Sequence, residues 1–289
     1  MTKLSDQENA DRKEIHLLVT SSDSNAVELL HRESGLSKQQ IKNAMTKGAV
    51  WITRSKSTQR LRRAKRALQA DDELHLYFDP AVLSESPQEP LLIDDQQSYS
   101  VWHKPYSLRS QGSKWGDHCT IGRWAEQHLE PERPAFTVHR LDRAATGLIL
   151  IAHTKEMAAT LAALFRNRQI EKRYIAVVLG NASTLTDPLR IDTPIDNRTA
   201  ISDVSFTELS ADKQRSLVRI NIETGRKHQI RRHLAAIGHP IVGDRLYGPD
   251  TDGHNKNLQL NACTLRFHCP IRNEIVEYHS PTNLIPQIN

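Results

Sequence analysis

The sequence predicts an α+β protein in two parts, a small basic N-terminal domain and a larger C-terminal domain. Strand-like and helix-like segments are mixed without the regular alternation of a doubly wound parallel sheet. Residues 12–78 hold 13 lysines and arginines against 7 acidic residues, whereas residues 79–98 hold five acidic residues and no cation. Prolines in this acidic stretch disfavour helix. We therefore expect an N-terminal domain over 12–80, an acidic linker over 81–98 and a C-terminal domain over 99–289.

The N-terminal part is predicted to contain two helices followed by strands. Apolar residues over 26–30 cluster on one side of a first helix. Ser37 and Gln40 match the Ser-x-x-Gln capping box at the start of a second helix. Apolar residues alternate around 50–52 and 74–78, which indicates two half-buried strands.

The C-terminal part combines apolar runs of strand length with helical stripes. The predicted strands cover 147–153, 174–179 and 217–222, the predicted helices cover 155–167 and 228–237, and a strand pair closes the chain over 266–278.

The composition of the 289 residues excludes a disordered chain and a membrane-spanning protein. Hydrophobic residues make up 38% and charged residues 25%, and no apolar run approaches the roughly 20 residues that cross a bilayer. The polar N-terminus lacks the apolar region of a secretory signal. Cys119, Cys263 and Cys269 are odd in number and match no metal-binding pattern. We expect a cytoplasmic protein without a metal or a membrane, and its net charge of +5 permits a polyanionic partner.

A first candidate for chemistry is the motif His139-Arg-Leu-Asp-Arg-Ala-Ala-Thr-Gly147. Asp142 lies between Arg140 and Arg143, and nearby opposite charge keeps a carboxylate ionised. Such a carboxylate beside an apolar strand can act as a nucleophile or a general base. A surface salt bridge is the alternative that the charge spacing leaves open.

A second candidate is the segment 224–234, which crowds cations and imidazoles into one turn and helix and continues into Gly-Asp-Arg-Leu-Tyr-Gly at 243–248. This pattern suits phosphate binding or an ion pair with a buried acid, and a solvated basic helix face is the alternative. The spacing of His228, His233 and His239 does not match a metal-binding helix.

Two further features leave their interpretation open. Tyr174, at the head of a predicted strand, can stack on a base or pack in the core. The run from Arg54 to Arg66 holds seven cations in 13 residues, which predicts either phosphate binding or a solvated segment.

The order of three motifs resembles the RluA-type family of RNA pseudouridine synthases over about residues 100–280. These are HRLDRAATGLILIAHT, EKRYIAVVLG and TGRKHQIRRHLAAIGHPIVGDRLYG, and the segment Val101-Trp-His-Lys-Pro105 is also similar to the family. The resemblance implies a mixed, largely antiparallel sheet with flanking helices and a central catalytic cleft. The N-terminal part resembles a small RNA-binding domain of the ribosomal-protein type, through Leu36–Ile41 and Lys47–Val50.

The resemblance also implies roles for individual residues. Asp142 corresponds to the catalytic nucleophile, Tyr174 to the tyrosine that stacks on the target uracil, and Arg231 to the arginine that pairs with the aspartate. Ile230 corresponds to the apolar residue under the base, and Arg140 to the arginine that helps to extrude the uridine. The remaining expected substrate-binding residues are His139, Arg226 and Lys104, and the expected RNA-binding residues of the N-terminal domain are Arg54, Arg60, Arg62, Arg63, Lys65, Lys38 and Lys42.

The expected function is isomerisation of specific uridines in structured RNA, with large-subunit rRNA placed before tRNA. A uracil inside a helix cannot reach a carboxylate, so the nucleotide has to be flipped into a pocket. The reaction needs no metal and no redox cofactor, and we expect a monomer whose partner is RNA. The alternatives are a tRNA pseudouridine synthase, a non-catalytic RNA-binding or ribosome-assembly factor on the same fold, and a repair glycosylase, which also flips bases.

Overall fold

The polypeptide folds into two units, each built on its own β-sheet. The computed structural model describes residues 11–21, 25–249 and 256–288. The first unit consists of Met1–Pro87 and Gln111–Trp124, and the second consists of Gln88–Ser110 and Ala125–Asn289. Part of the polar N-terminus, residues 1–10, lies outside the described residues, as do 22–24, 250–255 and 289.

The first unit packs helices on an antiparallel sheet of four strands. The strand order is β1-β4-β2-β3. Its elements are β1 (Lys13–Leu18), α1 (Ala26–Ser34), α2 (Lys38–Thr46), β2 (Val50–Arg54), β3 (Ser57–Arg60), β4 (Glu73–Phe78) and α3 (Pro80–Ser84).

Local sequence signals explain most of these elements. The predicted capping box is present, because the Ser37 hydroxyl accepts from the Gln40 N–H and the Gln40 side chain accepts from the Ser37 N–H. Ile52 and Leu74 point into the core beneath the two helices. The strand β1 was not predicted from the sequence, although its half-buried and exposed residues alternate; it lies at the edge of the sheet.

The segment Gln111–Trp124 lies within the first unit although it follows residues of the second. The Trp51 indole donates to the Lys114 carbonyl at 3.0 Å, and the Lys114 ammonium pairs with Glu14 at 2.7 Å. The Trp115 ring meets the Tyr77 ring edge-on, with centroids 5.5 Å apart. These contacts bind the segment to the first unit and differ from the prediction that all of 99–289 would form one domain.

The second unit contains a ten-stranded mixed sheet with helices beside it. The strand order is β10-β11-β12-β9-β13-β8-β6-β5, with β14 paired to β13 and β7 paired to β8. The remaining elements are β5 (Leu91–Asp95), β6 (Tyr99–Lys104), α4 (Ile121–His128), β7 (Phe136–Thr137), β8 (Thr146–Ala152), α5 (Lys155–Arg166), β9 (Glu171–Leu179), β10 (Leu189–Ile191), β11 (Ser202–Leu209), β12 (Arg215–Ile222), α6 (Gln229–Ala236), β13 (Leu260–His268) and β14 (Ile275–His279), with short 3-10 helices at Ala182–Thr184 and Thr282–Leu284. The boundary between the units falls within α4, after Trp124.

This sheet confirms the predicted α+β class and the mixed, largely antiparallel arrangement. All of its named strand pairs are antiparallel except the pair of β8 and β13. Among the described residues no helix is long and apolar enough to cross a membrane.

The predicted linker over 81–98 contains regular structure. Asp79 accepts from the Ala81 and Val82 N–H groups and caps α3, which begins at Pro80. The strand β5 then pairs with β6 at the edge of the second sheet. The local composition did not reveal this strand, because its pairing depends on β6 rather than on its own alternation.

Gly147 allows β8 to approach β13 closely immediately after the Asp142 motif. Its φ of +112° lies in a region that favours glycine. A Cβ at this position would lie 2.4 Å from both the backbone nitrogen and the carbonyl oxygen of Ala262. Because backbone atoms cannot turn aside as a side chain can, this position accepts only glycine.

We expect the Gly147→Ala substitution to destabilise the protein by about 2–4 kcal/mol, since it adds both strain and a backbone clash. Thermal unfolding measures this change. Gly225→Ala is the matched control, because a Cβ there meets no atom within 4 Å. Equal unfolding temperatures for the two variants would contradict the expected clash.

Candidate active site

Asp142 lies on the loop between β7 and β8, and hydrogen bonds hold the residues of this loop that immediately precede it. The Ser110 hydroxyl donates to the Leu141 carbonyl at 2.8 Å and accepts from the Leu141 N–H at 3.0 Å. The His139 ring accepts from the Leu150 N–H at 2.9 Å. The loop is therefore fixed immediately before its carboxylate.

Lys104 lies beneath the same loop, which differs from its predicted role as a substrate-binding residue. The side chain is fully buried, and its ammonium donates to the carbonyls of Pro105 at 3.0 Å, Leu108 at 2.9 Å and Arg143 at 3.4 Å. Burial lowers the pKa of Lys104 to about 7, although the Asp142 charge opposes this shift. All three of these bonds go to backbone oxygens, so Lys104 supports the loop from within.

Arg231 brings a buried positive charge to the Asp142 carboxylate. Its Nη1 lies 3.6 Å from Asp142 Oδ2, while its Nε and Nη2 donate to Asp244 at 2.8 and 2.6 Å. Burial alone would lower the pKa of Arg231, but the bonds to Asp244 raise it overall. Burial alone would raise the pKa of Asp244, but the bonds from Arg231 lower it overall. One guanidinium therefore serves two carboxylates.

Three residues of the site were not predicted as site residues: His228, Asp244 and Tyr247. His228 Nε2 lies 3.9 Å from Asp142 Oδ1, and its Nδ1 lies 3.0 Å from the Tyr247 hydroxyl. His228 immediately precedes α6 and has a positive φ of 56°. The sequence signals for these residues are the Gly-Asp-Arg-Leu-Tyr-Gly segment, which contains Asp244 and Tyr247, and the cation-rich segment 224–234, which contains His228. Neither segment indicates which side chain each of these residues contacts.

A cavity of about 220 Å³ opens beside Asp142. Tyr174 on β9 and Ile230 on α6 form apolar walls, and both belong to the same core cluster. Burial and the Asp142 charge raise the pKa of Tyr174, so its phenol stays protonated. In the described part of the chain the Tyr174 hydroxyl has no hydrogen-bond partner, which leaves it available to a bound molecule.

The other predicted residues take different positions. Arg140 is exposed on the wall of the cavity, and Arg226 lines it while donating to the Thr199 carbonyl at 2.9 Å. His139 instead stacks on Phe165, with ring centroids 4.3 Å apart, and does not line the cavity. The structure therefore brings six of the eight predicted residues to the cavity, whereas His139 and Lys104 support the loop instead. The six that line the cavity are Arg140, Asp142, Tyr174, Arg226, Ile230 and Arg231.

The cations predicted to bind RNA in the first unit fall into two groups. Arg54 forms a two-bond ion pair with buried Asp72, and Arg60 and Arg62 both pair with Asp117 at 3.0 and 2.5 Å. These three arginines are therefore occupied within the unit, which differs from their prediction as phosphate ligands. Lys38 pairs with Glu28 at the surface, whereas Lys42, Arg63 and Lys65 are exposed.

No group of three or more histidine, cysteine, aspartate or glutamate side chains within the described ranges is arranged to hold a metal ion. The three cysteines are free and buried.

The chain is similar to known RNA pseudouridine synthases. The RNA pseudouridylate synthase family matches residues 98–236. The dual-specificity RNA pseudouridine synthase RluA of Escherichia coli (strain K12) is 34% identical over 215 residues, which cover 68% of this chain and 96% of the relative. Ribosomal large subunit pseudouridine synthase D of Yersinia pestis is 32% identical over 237 residues, which cover 71% of this chain and 72% of the relative.

Solved structures support the fold. Human RNA pseudouridylate synthase domain containing 1 superposes with a TM-score of 0.57 at 22% identity, covering 71% of this chain and 88% of the human chain. The matched region contains Asp142, Tyr174 and Arg231. The chain therefore belongs to the RNA pseudouridylate synthase family and is an RluA-type RNA pseudouridine synthase.

Proposed function

We propose that the cavity beside Asp142 receives a uridine flipped out of structured RNA and isomerises it to pseudouridine. The supporting observation is a carboxylate at the wall of a 220 Å³ cavity, with the Arg231 guanidinium 3.6 Å away. Flipping costs a few kcal/mol, which phosphate contacts elsewhere on the protein offset. In this proposal the Arg140 side chain, which is exposed at the same cavity, enters the space that the uridine leaves.

The reaction breaks the bond between ribose C1′ and uracil N1, turns the base, and joins C1′ to C5. The proton on C5 is lost and N1 gains a proton, so the RNA keeps its mass. Asp142 attacks the sugar, attacks the ring or removes a sugar proton, and each of these routes begins with an ionised carboxylate. The Arg231 guanidinium lies 3.6 Å from this carboxylate, and its positive charge attracts the carboxylate oxygens.

Tyr174 and Ile230 retain the detached base in this proposal. Both are buried side chains that line the cavity, and a flat aromatic ring presents a stacking surface to uracil. The protonated Tyr174 hydroxyl can donate a hydrogen bond to the base as it turns.

Large-subunit rRNA is the proposed substrate class, and tRNA is the alternative. The relative from Yersinia pestis is named for the large ribosomal subunit, whereas the relative from Escherichia coli is named as dual-specific. The exposed Lys42, Arg63 and Lys65 of the first unit supply cations for structured RNA. We further propose that the protein is cytoplasmic, consistent with its three free cysteines, and that it acts as a monomer.

Wild-type protein should release tritium from RNA labelled at uridine C5, and Asp142→Asn should lower this release by about 10³-fold or more, because a group in the reaction is removed. Large-subunit rRNA and bulk tRNA, both unmodified, are assayed separately. RNA affinity of the variant is the control and should change little. Undiminished release by Asp142→Asn would contradict the proposal, and a free base or a change in RNA mass would indicate a glycosylase.

Arg231→Met should destabilise the protein by about 3–5 kcal/mol, because Asp244 is left as an uncompensated buried charge. The double variant Arg231→Met with Asp244→Leu should regain much of that stability, since the buried pair is replaced by apolar groups. Both variants should lack turnover, because each has lost the Arg231 guanidinium that lies beside Asp142. Chemical unfolding and tritium release measure the two effects, and an active double variant would limit Arg231 to a structural role.

Replacing Arg63 and Lys65 together with alanine should weaken RNA binding and reduce the slope of log affinity against log salt by about 1.5, close to two phosphate contacts. Unlike Arg60 and Arg62, these side chains are not paired with Asp117. Lys155→Ala, an exposed lysine at the start of α5, is the control. An unchanged slope would exclude this surface from RNA binding.

A further inference from the structure

The second unit has another cavity, of about 650 Å³, at the end of the sheet where β9 begins and β12 and β13 end. We call it the Lys172 groove; its lining includes Arg168, Glu171, Lys172, Ile222, Glu223 and Phe267. Ile222 lines both this groove and the cavity beside Asp142. The groove and the cavity beside Asp142 therefore adjoin at Ile222.

The acidic side chains of the groove already have cationic partners. Glu171 pairs with Arg173 at 2.5 Å and with Arg266 at 3.5 Å. Glu223 pairs with Arg190 at 2.9 Å. The groove therefore presents no uncompensated negative charge from these two carboxylates.

Lys172 is the opposite case, a half-buried ammonium with no hydrogen bond or ion pair to any described residue. Its nitrogen lies 5.9 Å from the centre of the Phe165 ring. Burial and the nearby charge of Arg168 lower its pKa. An unpaired charge taken partly out of water is costly, so an anion bound in the groove would be favoured.

We infer that the Lys172 groove binds the backbone phosphate and sugar of a nucleotide next to the target uridine in the same RNA strand. This inference rests on the proposed function, because it places the uridine beside Asp142. An RNA strand that enters the active-site cavity has to continue along an adjoining surface, and Ile222 is the shared wall. Lys172 and the half-buried apolar Ile222 line the groove together, which suits a phosphate and its sugar. Phe267 is buried, so the groove offers a cation and an apolar wall rather than an aromatic surface for a base.

The first measurement is the salt dependence of binding to an unmodified large-subunit rRNA transcript, made in the Asp142→Asn background so that no turnover intervenes. Lys172→Gln should reduce the slope of log affinity against log KCl by about 0.7, the value for one phosphate on a single strand. Lys172→Arg should keep the slope, because it keeps the charge. Lys155→Gln is the control for loss of an exposed lysine and should also keep it.

The second measurement locates the phosphate without altering the protein. Synthetic fragments of the RNA that releases tritium carry one uncharged methylphosphonate linkage at each position around the target. At one position next to the target, the methylphosphonate should weaken RNA binding several-fold when the protein keeps Lys172. The same linkage should leave the RNA affinity of the Lys172→Gln variant unchanged. This non-additivity assigns that phosphate to Lys172.

The inference is overturned if Lys172→Gln leaves the slope and the affinity unchanged, or if every methylphosphonate weakens Lys172→Gln as much as the protein with Lys172. Failure of the proposed function has a different signature, since neither RNA pool would then release tritium with the wild-type protein. The salt slope of the transcript still tests the groove in that case, because it requires no turnover.

Discussion

The active site depends on the buried ion pair between Arg231 and Asp244. Both side chains are almost completely shielded from water, so removing either one leaves a charge without compensation. Asp244 is held in turn by the backbone N–H groups of Leu246 and Tyr247. Asp244 therefore holds the Arg231 guanidinium, on α6, in the orientation that brings it near Asp142. The same helix places Ile230 at the cavity wall.

The catalytic loop is supported by polar groups rather than by apolar packing alone. An irregular loop leaves backbone groups without the partners that a sheet would provide, and these groups need hydrogen bonds when they are buried. Ser110 satisfies both backbone groups of Leu141, and Lys104 satisfies the carbonyl of Arg143. The strand β8 then begins directly after the loop, so the position of Asp142 is tied to the register of the sheet.

The sequence predicted the periodic elements well and the tertiary partners poorly. The helix expected over 155–167 is α5, and the capping box of α2 is present as expected. Asp244 was missed because its partner Arg231 lies 13 residues away and no local pattern reports an ion pair across a fold. For the same reason, Arg54 looked like a phosphate ligand in a basic run, whereas its charge is matched by Asp72 in the folded unit. The motif order indicated the family, but the functions of individual cations depended on which acids the fold placed beside them.

The chain passes between the two units three times, after residues 87, 110 and 124. The first unit is therefore not formed by the N-terminal residues alone. The segment Gln111–Trp124 also belongs to it, and the Trp115 ring contacts the Tyr77 ring edge-on. A gene fusion at the start of the chain would supply the sheet and helices but not this segment. Evolutionary exchange of the N-terminal unit therefore requires two coordinated changes in the gene, and the two stretches of sequence should be inherited together.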